Sequence, residues 1–313
     1  MPAIVTLTLN PTIDGSSEAE TVQHTHKVRT INDRYDPGGG GINVARVLTR
    51  LGADCEALYL AGGVTGPMLT GLLDRVGIRH RRLPIAGDTR ISMNIHEWQS
   101  GKEYRFVPQG PELSTAEWQG CLDAIGQLQC QWLVMSGSLP RGVPEDFYAR
   151  AAHVAHKAGA RVVLDTSGKA LKAALDETAG TIELVKPSLG ELEQMLGQTL
   201  RDPASLQAAA SALVARGAAR LVAVSMGHEG ALLASADGVL SLPAIPVEVR
   251  SAVGAGDSFV AAMTHGLAGG LSTEDAFRLG IAAGTAAVLT SGTDLCMRED
   301  IVRLAETLGV RDF

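Results

Sequence analysis

The strongest constraint on the fold is an alternation of two hydrophobic periods along most of the chain. Short β-branched runs occur at AIVTLTL (3–9), CEALYLAG (55–62), WLVMSG (132–137), RVVLDTS (161–167), IELVKPS (182–188) and RLVAVSMG (220–227), the pattern of buried strands. Between them, GINVARVLTRLG (41–52) and stretches near 114–127, 144–158 and 203–216 carry the period of helices. Strand and helix taken in turn imply crossover connections, and therefore an α/β fold with a parallel sheet. Such a sheet binds ligands beyond the carboxyl ends of its strands, which is where DTS, KPS and SMG stand.

Two stretches break the alternation. ISMNIHEW (91–98) and KEYRFV (102–107), joined by Gln99-Ser100-Gly101, predict a hairpin, and residues from about 13 to 35 are strand-like as well. The expected division is an α/β core of residues 1–12, 36–88 and 109–313 with a small β-sheet of residues 13–35 and 89–108. Because the second unit is inserted into the core rather than appended to it, a lid over the active site is the natural role.

Composition narrows the class. With 45% hydrophobic and 19% charged residues, the chain can bury a large core and is too weakly charged for disorder. No apolar run reaches the roughly 18 residues that would span a bilayer, and MPAIVTLTLN has no leader pattern, so a cytoplasmic protein without membrane partners is expected. A net charge of −7 argues against a nucleic-acid surface. Four cysteines at 55, 121, 130 and 296 show no CxxC spacing and read as reduced core thiols. The 36 glycines exceed the ~22 that average usage predicts, so many special backbone positions are needed.

Two glycine-rich segments carry the chemistry. Asp36-Pro37-Gly38-Gly39-Gly40-Gly41-Ile42-Asn43 leads directly into a helix and lets the backbone approach a ligand closely. It is neither GxxxxGK[ST] nor GxGxxG. Ser251-Ala252-Val253-Gly254-Ala255-Gly256-Asp257-Ser258 also opens a helix, and its successive amides make an anion nest suited to a transferring phosphoryl group. Asp257 there is either a helix cap or a general base. The helix N-terminus is expected to keep its carboxylate ionised, which a loose phosphoryl-transfer transition state tolerates.

Gly38 to Asn43, Val253-Gly254-Ala255-Gly256-Asp257 and Lys186-Pro187, together with TLTLNPTID, YRFV, SGSLPRGV and GTDLC in order, resemble the PfkB (ribokinase-like) carbohydrate kinases. The pattern is most similar to the bacterial minor ATP-dependent 6-phosphofructokinase subgroup, because relatives acting on other sugar phosphates carry lysine where Gly40 stands. The resemblance implies a three-layer α/β/α core with a mostly parallel sheet and a β-sheet lid. It implies Asp257 as base with the Gly254, Ala255 and Gly256 amides around the phosphoryl group. Asp14, Gly39, Asn43 and Ser138 would meet the sugar, and Lys27 and Arg90 its phosphate. Lys186, Ser225, Gly227 and Gly230 would line the nucleotide, with Glu191 ordering magnesium through water.

Three positions depart from the family pattern: Ser188 replaces an asparagine, Ala252 a threonine and Asp294 an arginine. The expected activity is transfer from ATP, with Mg²⁺, to the 1-hydroxyl of fructose 6-phosphate. Tagatose 6-phosphate or fructose 1-phosphate are the alternative acceptors, and a non-catalytic sugar-phosphate-binding regulator the distant one. A monovalent-cation (K⁺) requirement stays open, and a homodimer through the lid sheet is expected, since an open sheet leaves edges and a face uncovered.

Overall fold

The computed structural model describes residues 2–290, 294–311 and 313. Strands β1 (Ile4–Thr8), β2 (Thr12–Ala19) and β3 (Ile31–Gly38) precede helix α1 (Gly40–Arg50). Next come β4 (Cys55–Gly62), α2 (Gly66–Arg75), β5 (His80–Ile85), β6 (Arg90–Glu97) and β7 (Lys102–Phe106). The middle of the chain holds α3 (Thr115–Gly126), β8 (Trp132–Ser136), α4 (Phe147–Lys157), β9 (Arg161–Asp165), α5 (Gly168–Glu177) and β10 (Ile182–Val185). It continues with α6 (Leu189–Leu196), α7 (Pro203–Ala215), β11 (Leu221–Ser225), β12 (Ala231–Ser235) and β13 (Gly238–Leu242). Helices α8 (Ala255–Ala268), α9 (Thr273–Ala287) and α10 (Arg298–Thr307) close it.

Nine strands form one sheet in the order β13-β12-β11-β10-β9-β8-β1-β4-β5. From β5 to β11 the neighbours are parallel, whereas β12 and β13 pair antiparallel at one edge. The chain runs outward from β1 to β4 and β5, then returns to β8 on the other side of β1. That reversal opens a crevice at the carboxyl ends of β1 and β8, the place where open α/β sheets bind ligands.

Helices cover both faces. Ala57, Tyr59 and Ala61 of β4 belong to one core cluster, which includes residues of α1, α2, α8, α9 and α10, while Leu58 and Leu60 belong to a second, which includes residues of α3 to α7. Side chains alternate across a strand, so a strand buried on both faces must be apolar throughout. This accounts for the continuous β-branched runs in the sequence. All four cysteines are unpaired, and burial pushes the Cys55 and Cys121 thiols up to about 12. No helix among the described residues is long and apolar enough to cross a membrane.

The segments that interrupt the alternation form a separate four-stranded sheet, β3-β2-β6-β7. Residues 13–35 are not one strand: β2 and β3 flank a connection at 20–30, and β3 runs on through Asp36-Pro37-Gly38, which the sequence division assigned to the core. Cross-strand register aligns Asp36, Asp14 and Ser92 on one face, and Tyr35, Gly15, Met93 and Phe106 on the other.

Candidate active site

Strand ends deliver most of the site. Ser136 ends β8, Asp165 ends β9, Lys186 follows β10 and Ser225 ends β11, so neighbouring parallel strands place four polar side chains along one edge of the sheet. The start of α8 faces them. Its N-cap is Gly254, held at φ 75°, a left-handed conformation that disfavours any side chain. Asp257 is therefore the third residue of the helix and not its cap. Its Oδ2 accepts from Asn43 Nδ2 at 2.9 Å and its Oδ1 from Ser136 Oγ at 3.4 Å.

The electrostatics correct one expectation. Burial pushes the Asp257 carboxyl up to about 7, and the negative charge of Asp165 adds to the rise, while Asn43, Lys186 and Ser136 act the other way. Loss of hydration outweighs the helix N-terminus, so this carboxylate is not the weak base that helix position alone suggested. Lys186 is buried, and its Nζ lies 3.2 Å from Asp165 Oδ1. Burial opposes its charge, but Asp165, Glu191 and Asp257 more than offset this and hold its pKa above the ordinary lysine value. A permanently charged ammonium thus stands beside the first amides of α8: a Cβ on Gly256 would lie 3.4 Å from Lys186 Nζ. Those amides, from Gly254 to Asp257, have no acceptor within the helix.

On the opposite side of Asp257, the glycine run joins β3 to α1. Gly39 is the N-cap of α1, and Asn43 sits one turn in. A Cβ on Gly40 would stand 2.3 Å from Ser136 Oγ and within 2.9 Å of the Ser136 and Gly137 backbone. In this chain the close approach of β8 leaves no room for a side chain at Gly40 unless β8 shifts. Asp14 of β2 accepts from Ser92 Oγ, and burial raises its pKa against the pull of that hydrogen bond and of Arg46 and Arg90.

The proposed phosphate ligands divide. Arg90 donates to the carbonyls of Pro11, Pro108 and Asn10, tying the small sheet to the loop after β1. Three of five guanidinium donors are used in this way, and two remain for an anion. Lys27 is not brought to this cluster. It lies exposed on the 20–30 connection, beyond the far end of β2, about 16 Å of strand from Asp14. Ser138 is exposed at the cleft, within 3.5 Å of Asn10 Nδ2.

On the nucleotide side, Ser225 bridges to Ser188 and its amide donates to the Pro187 carbonyl. Gly227 opens a single 3-10 turn. Gly230 has its own structural reason: a Cβ would stand 2.1 Å from the Leu242 carbonyl oxygen. Ser188, one of the departures, caps α6. Its hydroxyl accepts from the Glu191 amide while Glu191 Oε2 accepts from the Ser188 amide at 2.7 Å. Serine here trades asparagine's reach for a capping box that fixes the Glu191 carboxylate beside Lys186. Ser251 Oγ accepts from the Val253 amide next to Ala252. Asp294, the third departure, takes a bidentate pair from Arg34 of β3. The Gly292 and Thr293 part of the GTDLC motif lies outside the described residues.

Several residues of the cluster were not singled out by sequence reasoning. Asp165 and Ser136 were visible only as polar strand endings. Arg46 is buried and bonds the Pro37 carbonyl and Asn43 Oδ1. Ser92 holds Asp14. The SLGE spacing at 188–191 is a capping-box signal that could have been read directly.

Comparison with known proteins gives the family. Residues 8–300 match the model of the pfkB family carbohydrate kinases. The chain is 43% identical over 307 residues to the ATP-dependent 6-phosphofructokinase isozyme 2 of Mycobacterium tuberculosis, covering 97% of this chain and 89% of that one. It is 40% identical over 266 residues to the 1-phosphofructokinase of Xanthomonas campestris pv. campestris, covering 84% and 83%. Phosphofructokinase-2 from Escherichia coli is structurally similar: its complex with fructose 6-phosphate superposes with a TM-score of 0.92 at 37% identity, over 99% of this chain and 100% of that one. Its complex with potassium gives 0.94 at 38% with the same coverage.

Proposed function

The chain belongs to the PfkB family of carbohydrate kinases, and from that membership we propose that it transfers the γ-phosphoryl group of ATP to the 1-hydroxyl of fructose 6-phosphate. The observation that carries this reading is the position of Asp257. Its carboxylate lies between Asn43 on the sugar side and the Lys186 ammonium and α8 amides on the phosphoryl side.

In this reading Asp14, Gly39, Asn43 and Ser138 orient the sugar hydroxyls, and Arg90 meets the 6-phosphate with its two remaining donors. Asp257 accepts the proton of the 1-hydroxyl as its oxygen bonds to phosphorus and the bond to ADP breaks. The amides of Gly254, Ala255 and Gly256 and the Lys186 ammonium stabilise charge on the equatorial phosphoryl oxygens. Ser225, Gly227 and Gly230 border the nucleotide. The small sheet acts as a lid that excludes water, which would otherwise compete as acceptor.

Magnesium fits this donor set. Among the described residues no three His, Cys, Asp or Glu side chains converge into a cage, and Mg²⁺ characteristically takes phosphate and water with one or two carboxylates. Glu191 would hold it through water, and when bound the ion neutralises phosphate charge. A potassium requirement is tested by measuring turnover with K⁺ or with Na⁺ as the only monovalent cation.

The half-exposed row of Tyr35, Met93 and Phe106 supports a homodimer through the lid sheet, to be read by sedimentation of the wild type against Phe106→Glu. The nearest alternative acceptor is fructose 1-phosphate, favoured by the 1-phosphofructokinase relative. A coupled assay with ATP and fructose 6-phosphate, fructose 1-phosphate, tagatose 6-phosphate or ribose tests the assignment. The highest kcat/KM on fructose 6-phosphate is expected. A higher value on another acceptor reassigns the substrate, and no turnover on any removes the kinase reading.

A further inference from the structure

A buried arginine stands behind the hydrogen bond from Asn43 to Asp257. Arg46 lies one turn after Asn43 on α1 and is 4% exposed. Burial opposes its charge, and only carboxylates, chiefly Asp36 at 3.9 Å, compensate. Its Nη1 donates to the Pro37 carbonyl at 3.0 Å and to Asn43 Oδ1 at 3.3 Å. Asn43 Nδ2 then donates to Asp257 Oδ2 at 2.9 Å. Asp36 is itself held by Arg34 Nε at 2.8 Å, and Arg34 by Asp294.

The chemistry of the asparagine gives this chain of contacts a direction. Its amide has one acceptor end and one donor end, and either could be presented to Asp257 by a flip of the side chain. Guanidinium has donors and no acceptor, so it selects the orientation with Oδ1 toward itself. Only that orientation offers the carboxylate a hydrogen-bond donor. The opposite one would set a carbonyl oxygen against it. We infer that Arg46 is a positioning residue for the transfer step, which fixes the Asn43 amide so that it donates to Asp257 and links the end of lid strand β3 to the base.

This rests on Asp257 acting as the base, so the two must be tested together. The charged groups facing Asp257 are Asp165 and Lys186, and both are left untouched. The test is the pH dependence of kcat/KM for fructose 6-phosphate in Arg46→Met, Asn43→Ala and the double variant. Without Arg46 the amide donates only part of the time, so the acid limb of the profile should move to higher pH, and kcat should fall ~10-fold with KM for ATP unchanged. In the Asn43→Ala background the same substitution should move the limb no further. Should the Met variant fail to fold, Arg46→Lys gives the same reading. A single ammonium serves Pro37 or Asn43 in turn, and a smaller shift in the same direction is expected. An acid limb unmoved in the folded variant, or an equal shift with and without Asn43, overturns the inference. Those results with Asp257→Asn inactive leave the base in place, whereas an active Asp257→Asn removes both readings.

Discussion

Lys186 Nζ and Asp165 Oδ1 lie 3.2 Å apart, the lysine buried and the aspartate largely so, and the pair adjoins the Asp257 carboxylate it influences from both signs. Asp165 raises the Asp257 pKa and Lys186 lowers it. Replacing Asp165 with Asn should therefore shift the acid limb of the kcat/KM profile to lower pH. Replacing Lys186 with Met should shift it upward, and removing one partner of a buried pair should also cost about 3–5 kcal/mol of stability in denaturant titrations. Movement of the two limbs in the same direction would contradict this electrostatic account.

Burial of Asp257 should also be visible without substrate. Its pKa is pushed up to about 7 from an ordinary 3.8, so the native state binds the proton more tightly than the unfolded chain does. The stabilisation from this group is complete below about pH 4, declines as pH rises and is lost above pH 7. The Tm of the wild type relative to Asp257→Asn should accordingly fall between pH 5.5 and 8 when measured on ligand-free protein. A constant difference across that range would show that the Asp257 carboxyl is not raised above its ordinary value.

Gly40 carries a steric prediction. A Cβ at this position meets backbone atoms of Ser136 and Gly137, which cannot rotate away. Gly40→Ala should lose ~1–3 kcal/mol of stability, the usual cost of overpacking, and should disturb the Ser136 contact to Asp257. A Gly40→Lys variant is expected to be less active on every acceptor and not to gain fructose 1-phosphate activity. Full stability and a switched acceptor would show that β8 can retreat. The structure thus alters the meaning of this residue: the missing lysine is a constraint of packing as well as a substrate signal.

The parts of the site legible in the sequence were those with local signatures. The glycine run and the GAGD segment announce themselves because helix starts that bind anions need small residues in a contiguous stretch. Asp165 and Ser136 have no such signature. Each is an ordinary polar residue at a strand end, and only the adjacency of β8, β9 and β10 makes them neighbours of Asp257 and Lys186. Arg46 reads as a solvated charge on an amphipathic helix until tertiary packing buries it. In the fold, the parallel core follows from its apolar strands. The antiparallel pair β12 and β13 was missed despite the Asp237-Gly238 turn in ALLASADGVLSL, a hairpin signal between two short apolar runs.

The central claim is that Asp257 takes the proton of the acceptor hydroxyl, and single-turnover transfer by Asp257→Asn tests it most directly. With fructose 6-phosphate binding measured in parallel, the account predicts a loss of roughly 10² to 10⁴ in the rate of phosphoryl transfer and nearly unchanged sugar-phosphate affinity. Transfer within a few-fold of the wild-type rate would contradict it.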